Sequence, residues 1–134
     1  LKPYLEELFN GEPKVSITQY ESYESFEIHK KHHIAIIPTL GSEGTSLSMI
    51  EAMAAGCMVI SSNVGGLSNL VINDFNGLLV MPNEDEFSHA IVKSLSNYKQ
   101  SKALAFNGLN SIRHVCSKHN WAEQWLSIIK NIKH

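Results

Sequence analysis

Arginine, and charge in general, is scarce in this sequence. Arg113 is the only arginine among 134 residues, charged residues make up 18% of the chain, and the formal net charge is −2. Proteins that bind nucleic acid or anionic membranes usually present a strongly basic surface. The composition does not supply such a surface, so we expect no nucleic-acid partner.

Long apolar runs and paired cysteines are missing as well. No run approaches the roughly 20 apolar residues that span a membrane, and the first residues show no secretory signal pattern. The two cysteines, Cys57 and Cys116, lie far apart and match no metal-binding or redox spacing. We expect inert thiols in a reducing compartment, which predicts a cytoplasmic protein.

The sequence does contain short apolar runs that alternate with helical patterns. With 43% hydrophobic residues, the chain is long enough for one domain with a sizeable core. Apolar runs without polar alternation are typical of strands that are covered on both faces of a parallel sheet. The predicted strands are residues 15–18, 33–37, 58–61 and 78–80, and the predicted helices are residues 4–9, 22–31, 46–55 and 100–115, with two more that begin near residues 83 and 120.

This alternation predicts an α/β fold, a Rossmann-like open parallel sheet flanked by helices. Ligands of such sheets bind beyond the carboxyl ends of the strands. The loops that follow Thr18, Ile37 and Ile60 are therefore the candidate binding loops.

One carboxylate interrupts an otherwise apolar segment. Glu51 is the only residue between Met49 and Ile60 that is neither apolar nor glycine. On a helical projection it falls about 40° from Leu47, beside a predicted apolar stripe that also contains Ile50 and Ala54. A buried carboxylate without a partner is costly. We therefore expect beside Glu51 either a hydrogen-bond donor of the protein or a hydroxyl group of a ligand.

The loop before this helix, residues 41–46, consists of small residues and one glutamate. A helix N-terminus offers unpaired backbone N–H groups and a positive dipole end, which bind anions such as phosphate. Thr45 or Ser46 is expected to cap the helix. The loop matches neither a P-loop nor G-x-G-x-x-G. Glu43, the helix terminus and Glu51 together suit a ligand in which a diphosphate joins two polyhydroxyl groups, as in a nucleotide-sugar.

The residues around this loop carry a family resemblance. The stretch PTLGSEGTSLSMIEAMAAGCMVISSNVGGLSNLVINDFNGLLVMP resembles the signature region of the group 1 (family 4) glycosyltransferases, with Glu43 and Glu51 as its Glu-x7-Glu pair. Members of that family are retaining enzymes with two Rossmann-like lobes, the GT-B architecture. The resemblance implies that residues 1–134 are most of the C-terminal lobe, which binds the nucleotide-sugar donor, and that the chain is part of a longer protein.

The resemblance also implies roles for individual residues. Glu43 would face the donor sugar and serve as the catalytic carboxylate, while Glu51 would bind the ribose hydroxyls. Neither a metal nor another cofactor is expected, since the donor is itself the substrate. The remaining substrate-binding residues implied are Gly44, Thr45, Ser46 and Leu47 at the diphosphate, Gln19 and Tyr20 near the base, and Gly65 and Gly66 in the neighbouring loop.

The chain departs from the family pattern in several places. Met58 replaces the usual proline, and Thr45-Ser46 replaces the usual Phe-Gly. A basic Arg and Lys pair, which the family aims at the phosphates, has no counterpart here. We expect the acceptor lobe and the first strands of the donor lobe to lack a counterpart in these residues as well. We therefore expect this polypeptide alone to be inactive and to self-associate through an exposed sheet edge.

For the full-length enzyme, the resemblance implies transfer of a sugar to an acceptor hydroxyl in polysaccharide or glycolipid synthesis. The acceptor, a glycan, lipid or small molecule, would bind the N-terminal lobe, and the enzyme could associate peripherally with membranes. Two other functions stay open, namely a non-catalytic α/β module that binds nucleotides or protein partners and a nucleotide-sugar epimerase.

Several candidate residues have simpler explanations. A Gly65-Gly66 pair also suits a tight turn with positive φ, and Tyr20 also suits ordinary packing. His29, His32 and His33 could hold a metal, but histidines at the end of a helix are also favoured by its dipole.

Overall fold

Three short parallel strands form the sheet in the computed structural model, which describes residues 2–41 and 43–132. Strand β1 is Ile34–Ile37, β2 is Met58–Ser62 and β3 is Leu78–Val80, in the order β1-β2-β3. Ile34 lies opposite Met58, and Ile60 lies opposite Leu78. The parallel α/β architecture predicted from the sequence is thereby confirmed.

The described part of the chain contains six α-helices. Two 3-10 turns, Ser22–Glu24 and Gly65–Asn69, follow the candidate loops after Thr18 and after β2. The helices are α1 (Lys2–Leu8), α2 (Ser25–His29), α3 (Leu47–Ala54), α4 (Glu84–Ser96), α5 (Tyr98–Val115) and α6 (Lys118–Ile132).

The central strand β2 divides the core into two layers because all five of its residues are buried. Val59 belongs to the layer that α3 covers. Met58 and Ile60 belong to the opposite layer, where α4 contributes Ala90. Since strand side chains alternate between faces, both faces of β2 are covered, as the apolar residues 58–60 indicated. Its last two residues, Ser61 and Ser62, are buried as well.

The strand predicted for residues 15–18 is wrong. These residues have no regular secondary structure, and all but one of them are exposed. A strand is stabilised by hydrogen bonds to a neighbouring strand, and the described residues pair only β1 with β2 and β2 with β3, apart from an isolated bridge. The helix predicted for residues 22–31 begins as a 3-10 turn and becomes the short helix α2.

None of the helices in residues 2–41 and 43–132 combines the length and the apolar content that a membrane span requires.

Candidate functional site

The predicted binding loops after β1 and β2 meet at the carboxyl end of the sheet. The backbone N–H of Gly66 donates a 2.7 Å hydrogen bond to the carbonyl oxygen of Glu43. Glu43 lies in the loop after β1, whereas Gly66 lies in the 3-10 turn after β2. The fold thus brings Glu43 and Gly44 together with Gly65 and Gly66, which are more than 20 residues away in the sequence.

Both glycines are needed for this close approach. Gly65 has a φ of +52°, which side-chain-bearing residues rarely adopt. A Cβ atom on Gly65 would overlap the backbone of Glu43, and one on Gly66 would overlap the carbonyl oxygen of Gly44. The positive φ predicted for a tight turn is present at Gly65. The sequence did not reveal that both glycines also hold the Glu43 loop.

The carboxylate of Glu43 is held at the end of β1. Thr39 Oγ1 donates a 2.7 Å hydrogen bond to Glu43 Oε2, and the glutamate is half-buried. Sequence reasoning missed Thr39. The signal that could have found it is a hydroxyl residue directly after the proline that ends the strand, four positions before the glutamate.

The N-terminus of α3 has the features of an anion site. Ser46 is buried, and its Oγ accepts a hydrogen bond of 3.3 Å from the backbone N–H of Met49. Ser46, and not Thr45, therefore caps the helix. No described residue accepts a hydrogen bond from the backbone N–H groups of Thr45, Ser46 or Leu47. These are the groups at which the positive end of a helix dipole attracts an anion.

The predicted position of Glu51 relative to the core is wrong. The buried residues of α3 are Met49, Ala52 and Met53, whereas Leu47 is 72% exposed. At 100° per residue, Glu51 therefore lies on the opposite side of the helix from the core. The error arose because α3 is apolar around most of its circumference, so its sequence does not show which side faces the sheet.

Glu51 is half-buried, and its described partner is a side chain of α2. Ser25 Oγ donates a 2.5 Å hydrogen bond to Glu51 Oε2. Of the two partners that the sequence left open, the structure thus contains a donor of the protein. One carboxylate has about four lone-pair sites, so this bond leaves capacity for ligand hydroxyls. Ser25 was missed because it is 26 residues from Glu51.

His29 lies one helical turn after Ser25. Burial lowers the pKa of His29, the negative charge of Glu51 opposes that shift, and His32 adds to it. Within the described residues, the buried Nε2 of His29 has no hydrogen-bond partner. No three histidine, cysteine, aspartate or glutamate side chains in this part of the chain gather as a metal site. The observed geometry therefore does not support the metal alternative for His29, His32 and His33.

The last two predicted residues lie outside this cluster of contacts. Gln19 and Tyr20 are exposed, in the irregular segment that leads into the 3-10 turn before Ser25. In the described part of the chain, neither side chain hydrogen-bonds to the other candidate residues. Their predicted place beside the base stays a prediction.

Taken together, the site has two carboxylates and a helix N-terminus that lies between them in the sequence. Glu51 lies about 6 Å along the helix from Leu47, at 1.5 Å per residue. The carboxylates can accept hydrogen bonds from hydroxyl groups, and the N–H groups can donate to an anion.

The model of the group 1 glycosyl transferases matches residues 1–97 of this chain. The chain belongs to this family. The match includes both carboxylates, the α3 N-terminus and the glycine pair, so these features lie in the family's own region of the sequence.

This group 1 member is similar to several known proteins. It is 28% identical over 105 residues to an uncharacterized glycosyltransferase of Methanocaldococcus jannaschii, a match that covers 78% of this chain and 27% of the relative. Sucrose-phosphate synthase from Thermosynechococcus elongatus superposes with a TM-score of 0.82 at 26% identity, covering 97% of this chain and 33% of that one.

A third similar protein has been solved with a ligand. HepE from Anabaena, in complex with UDP-glucose, gives a TM-score of 0.76 at 20% identity, covering 93% of this chain and 37% of that one. At so low an identity, the structural similarity shows a shared fold and nothing more. The group 1 chain spans between 27% and 37% of the length of these three proteins.

Proposed function

We propose that this chain is the donor-binding lobe of a retaining glycosyltransferase and binds a nucleoside diphosphate sugar. The observation that carries the proposal is the order of groups along the chain: Glu43, then the N–H groups at the α3 N-terminus from which no described residue accepts a hydrogen bond, then Glu51. The UDP-glucose complex of the structurally similar HepE supports this class of ligand.

Each part of the ligand has a matching group in the chain. The diphosphate would accept hydrogen bonds from the N–H groups of Thr45, Ser46 and Leu47, where the helix dipole favours negative charge. Glu51 would accept from the ribose hydroxyls, and Glu43 would face the sugar. Gly65 and Gly66 keep the two loops in contact, and Gln19 and Tyr20 are proposed to border the base.

The proposed chemistry is electrostatic. As the sugar–phosphate bond breaks, negative charge grows on the departing diphosphate, and preorganised N–H groups stabilise it. Glu43, held by Thr39, would orient the sugar and stabilise the positive charge that develops on it. No metal or other cofactor is part of this proposal. The acceptor hydroxyl belongs to a glycan, lipid or small molecule bound by another lobe of the full-length protein.

The test is nucleotide binding by this chain, measured by calorimetry with UDP and with GDP. We expect at least one of the two to bind, and Glu51→Ala to weaken that binding by tenfold or more, which corresponds to about 1.4 kcal/mol. The matched control is Glu123→Ala, which removes an exposed carboxylate on α6. This variant should bind the nucleotide as tightly as the unchanged chain does. If neither nucleotide binds, the proposed function is wrong.

An interaction module without turnover, in which Glu51 does not contact a nucleotide, is the second candidate. The observation that favours it is the bond from Ser25 to Glu51, because it gives the carboxylate a structural role without any ligand. In that case Glu51→Ala should lower the free energy of unfolding while the nucleotide affinity does not change. The two candidates thus predict different nucleotide affinities for the same variant.

We also propose that the isolated chain pairs with a second copy through β1. In the described sheet β1 has a neighbour on one side only, and Ile36 on this strand is 41% exposed. Leu40, 81% exposed, lines an adjacent apolar groove of about 470 Å³ with Ile36 and Phe87. Unpaired strand edges with apolar side chains favour association.

Sedimentation velocity tests this pairing. We expect a dimer at micromolar concentration and a monomer for Ile36→Lys, since a charge on an edge strand opposes pairing. Val92→Lys, a substitution on the exposed surface of α4, should leave the dimer intact. A monomeric unchanged chain would overturn the proposal.

A further inference from the structure

Ser25 is a buried serine whose hydroxyl leaves its own helix. Serine near a helix start commonly bonds to the backbone of that helix. Here the Oγ of Ser25, the first residue of α2, instead reaches across to α3 and donates to Glu51 Oε2 at 2.5 Å. The serine is 4% exposed, so without this bond a buried hydroxyl would be left without a partner for its proton.

The segment that leads to Ser25 is itself fixed by a local bond. The carboxylate of Glu24 accepts a 3.0 Å hydrogen bond from the backbone N–H of Glu21. The backbone N–H of Ser25 donates to the carbonyl oxygen of Ser22 within the same turn. The hydroxyl is therefore presented to α3 by a well-defined backbone and does not depend on a long, flexible side chain.

A glutamate side chain on a helix surface has several rotatable bonds. Fixing it in one orientation costs conformational free energy. If the protein does not already hold the side chain in the orientation that a ligand needs, this cost is subtracted from the free energy of binding. The bond from Ser25 restricts the Glu51 carboxylate before any ligand arrives. It also uses only one of the carboxylate oxygens, so hydroxyl groups can still be accepted.

We infer that Ser25 is a positioning residue, which orients the Glu51 carboxylate for the ribose hydroxyls of the nucleotide. This inference rests on the proposed function, because it assigns Glu51 to the nucleotide. Ser25 lies in the segment that connects the predicted base-binding residues Gln19 and Tyr20 to the sheet. The inference therefore adds a residue of this segment to the proposed nucleotide site.

The experiment measures UDP affinity of the chain by calorimetry for Ser25→Ala and Ser25→Thr, with GDP in place of UDP throughout if only GDP binds. We expect Ser25→Ala to weaken UDP binding about tenfold, in line with the loss of a hydrogen bond to a charged group. Ser25→Thr keeps the hydroxyl and should restore most of the affinity. Ser94→Ala removes another buried serine hydroxyl, on α4, and should leave the affinity unchanged.

The double variant Ser25→Ala with Glu51→Ala shows whether Ser25 acts through Glu51. If it does, Ser25→Ala has no further effect on UDP affinity once Glu51 is alanine. An equal loss in both backgrounds, or no loss in either, would overturn the inference. If Ser25→Ala binds UDP normally while Glu51→Ala does not, the proposed function stands and only the role of Ser25 is wrong.

A second readout does not need the nucleotide. The 13C resonance of the Glu51 carboxyl group reports directly on its hydrogen bonding, and we expect it to shift in Ser25→Ala but not in Ser94→Ala. An unchanged resonance would overturn the inference even if the affinity had fallen.

Discussion

The carbonyl oxygen of Gly44 occupies the space that a side chain on Gly66 would need. The two glycines come from the loops after β1 and β2, and the bond from Gly66 N–H to the Glu43 carbonyl joins the same loops. The close contact between these two loops therefore depends on the absence of a side chain at Gly66, as it does at Gly65.

Gly66→Ala should push the two loops apart. We expect a loss of about 1–3 kcal/mol in the free energy of unfolding, the usual cost of overpacking, together with weaker UDP binding. Urea unfolding and calorimetry measure the two effects. Gly41→Ala is the control, because a Cβ atom there meets nothing within 4 Å. Equal stability of the two variants would contradict the close approach.

Removing the cap of α3 should weaken the helix that carries the candidate anion site. Ser46→Ala deletes the oxygen that accepts from the Met49 N–H, and we expect a loss of about 1 kcal/mol in unfolding free energy. Thr45→Ala, at an exposed position without a capping bond, should change stability by less than about 0.5 kcal/mol. If urea unfolding showed a larger loss of stability for Thr45→Ala than for Ser46→Ala, Thr45 would be the cap.

The architecture could be predicted because its causes are local. The apolar runs of β1 and β2 have no polar alternation, which is typical of strands in a parallel sheet. Of the described strands, however, only β2 is buried along its whole length, whereas Ile36 on β1 is 41% exposed. The helix predicted to begin near residue 83 is α4, and the Asn83 side chain accepts a hydrogen bond from the Glu86 N–H. The helix predicted for residues 46–55 is α3, and Gly56, with a φ of +85°, follows its end.

The errors and omissions concern contacts between distant segments. Residues 15–18 have the composition of a strand, but a strand also needs a neighbour. The side of α3 that faces the core could not be read from a helix in which Leu47, Ile50 and Met53 are all apolar. Ser25, Thr39 and the contact of Gly66 with Gly44 became visible only once the loops were placed in space.

The two thiols should differ in reactivity. Cys57 is buried, its Sγ donates to the carbonyl oxygen of His29 at 3.1 Å, and burial raises its pKa. Cys116 is exposed. Because the thiolate is the reactive form, Ellman's reagent at pH 8 should modify one thiol rapidly in the native chain and two in denaturant. Cys116→Ser should abolish the rapid phase, whereas rapid modification of Cys57 would contradict its burial.

The buried position of His29 should make stability depend on pH. Its pKa in the folded chain lies below the ordinary value of 6.5, chiefly because of burial, although Glu51 opposes the shift. As the pH falls below about 6.5, the unfolded chain therefore binds a proton more readily than the folded one, and the free energy of unfolding decreases until the folded pKa is passed. Above 6.5 the full stability is present.

Urea unfolding between pH 8 and pH 5 measures the slope of the free energy of unfolding against pH. His29→Gln should reduce it, because the side chain no longer titrates, whereas His89→Gln, at an exposed position on α4, should keep it. Glu51→Gln removes the charge that favours protonated His29, so it should lower the folded pKa further and make the decrease in stability toward acid steeper. A slope that is the same in the unchanged chain and in His29→Gln would show that other groups cause it.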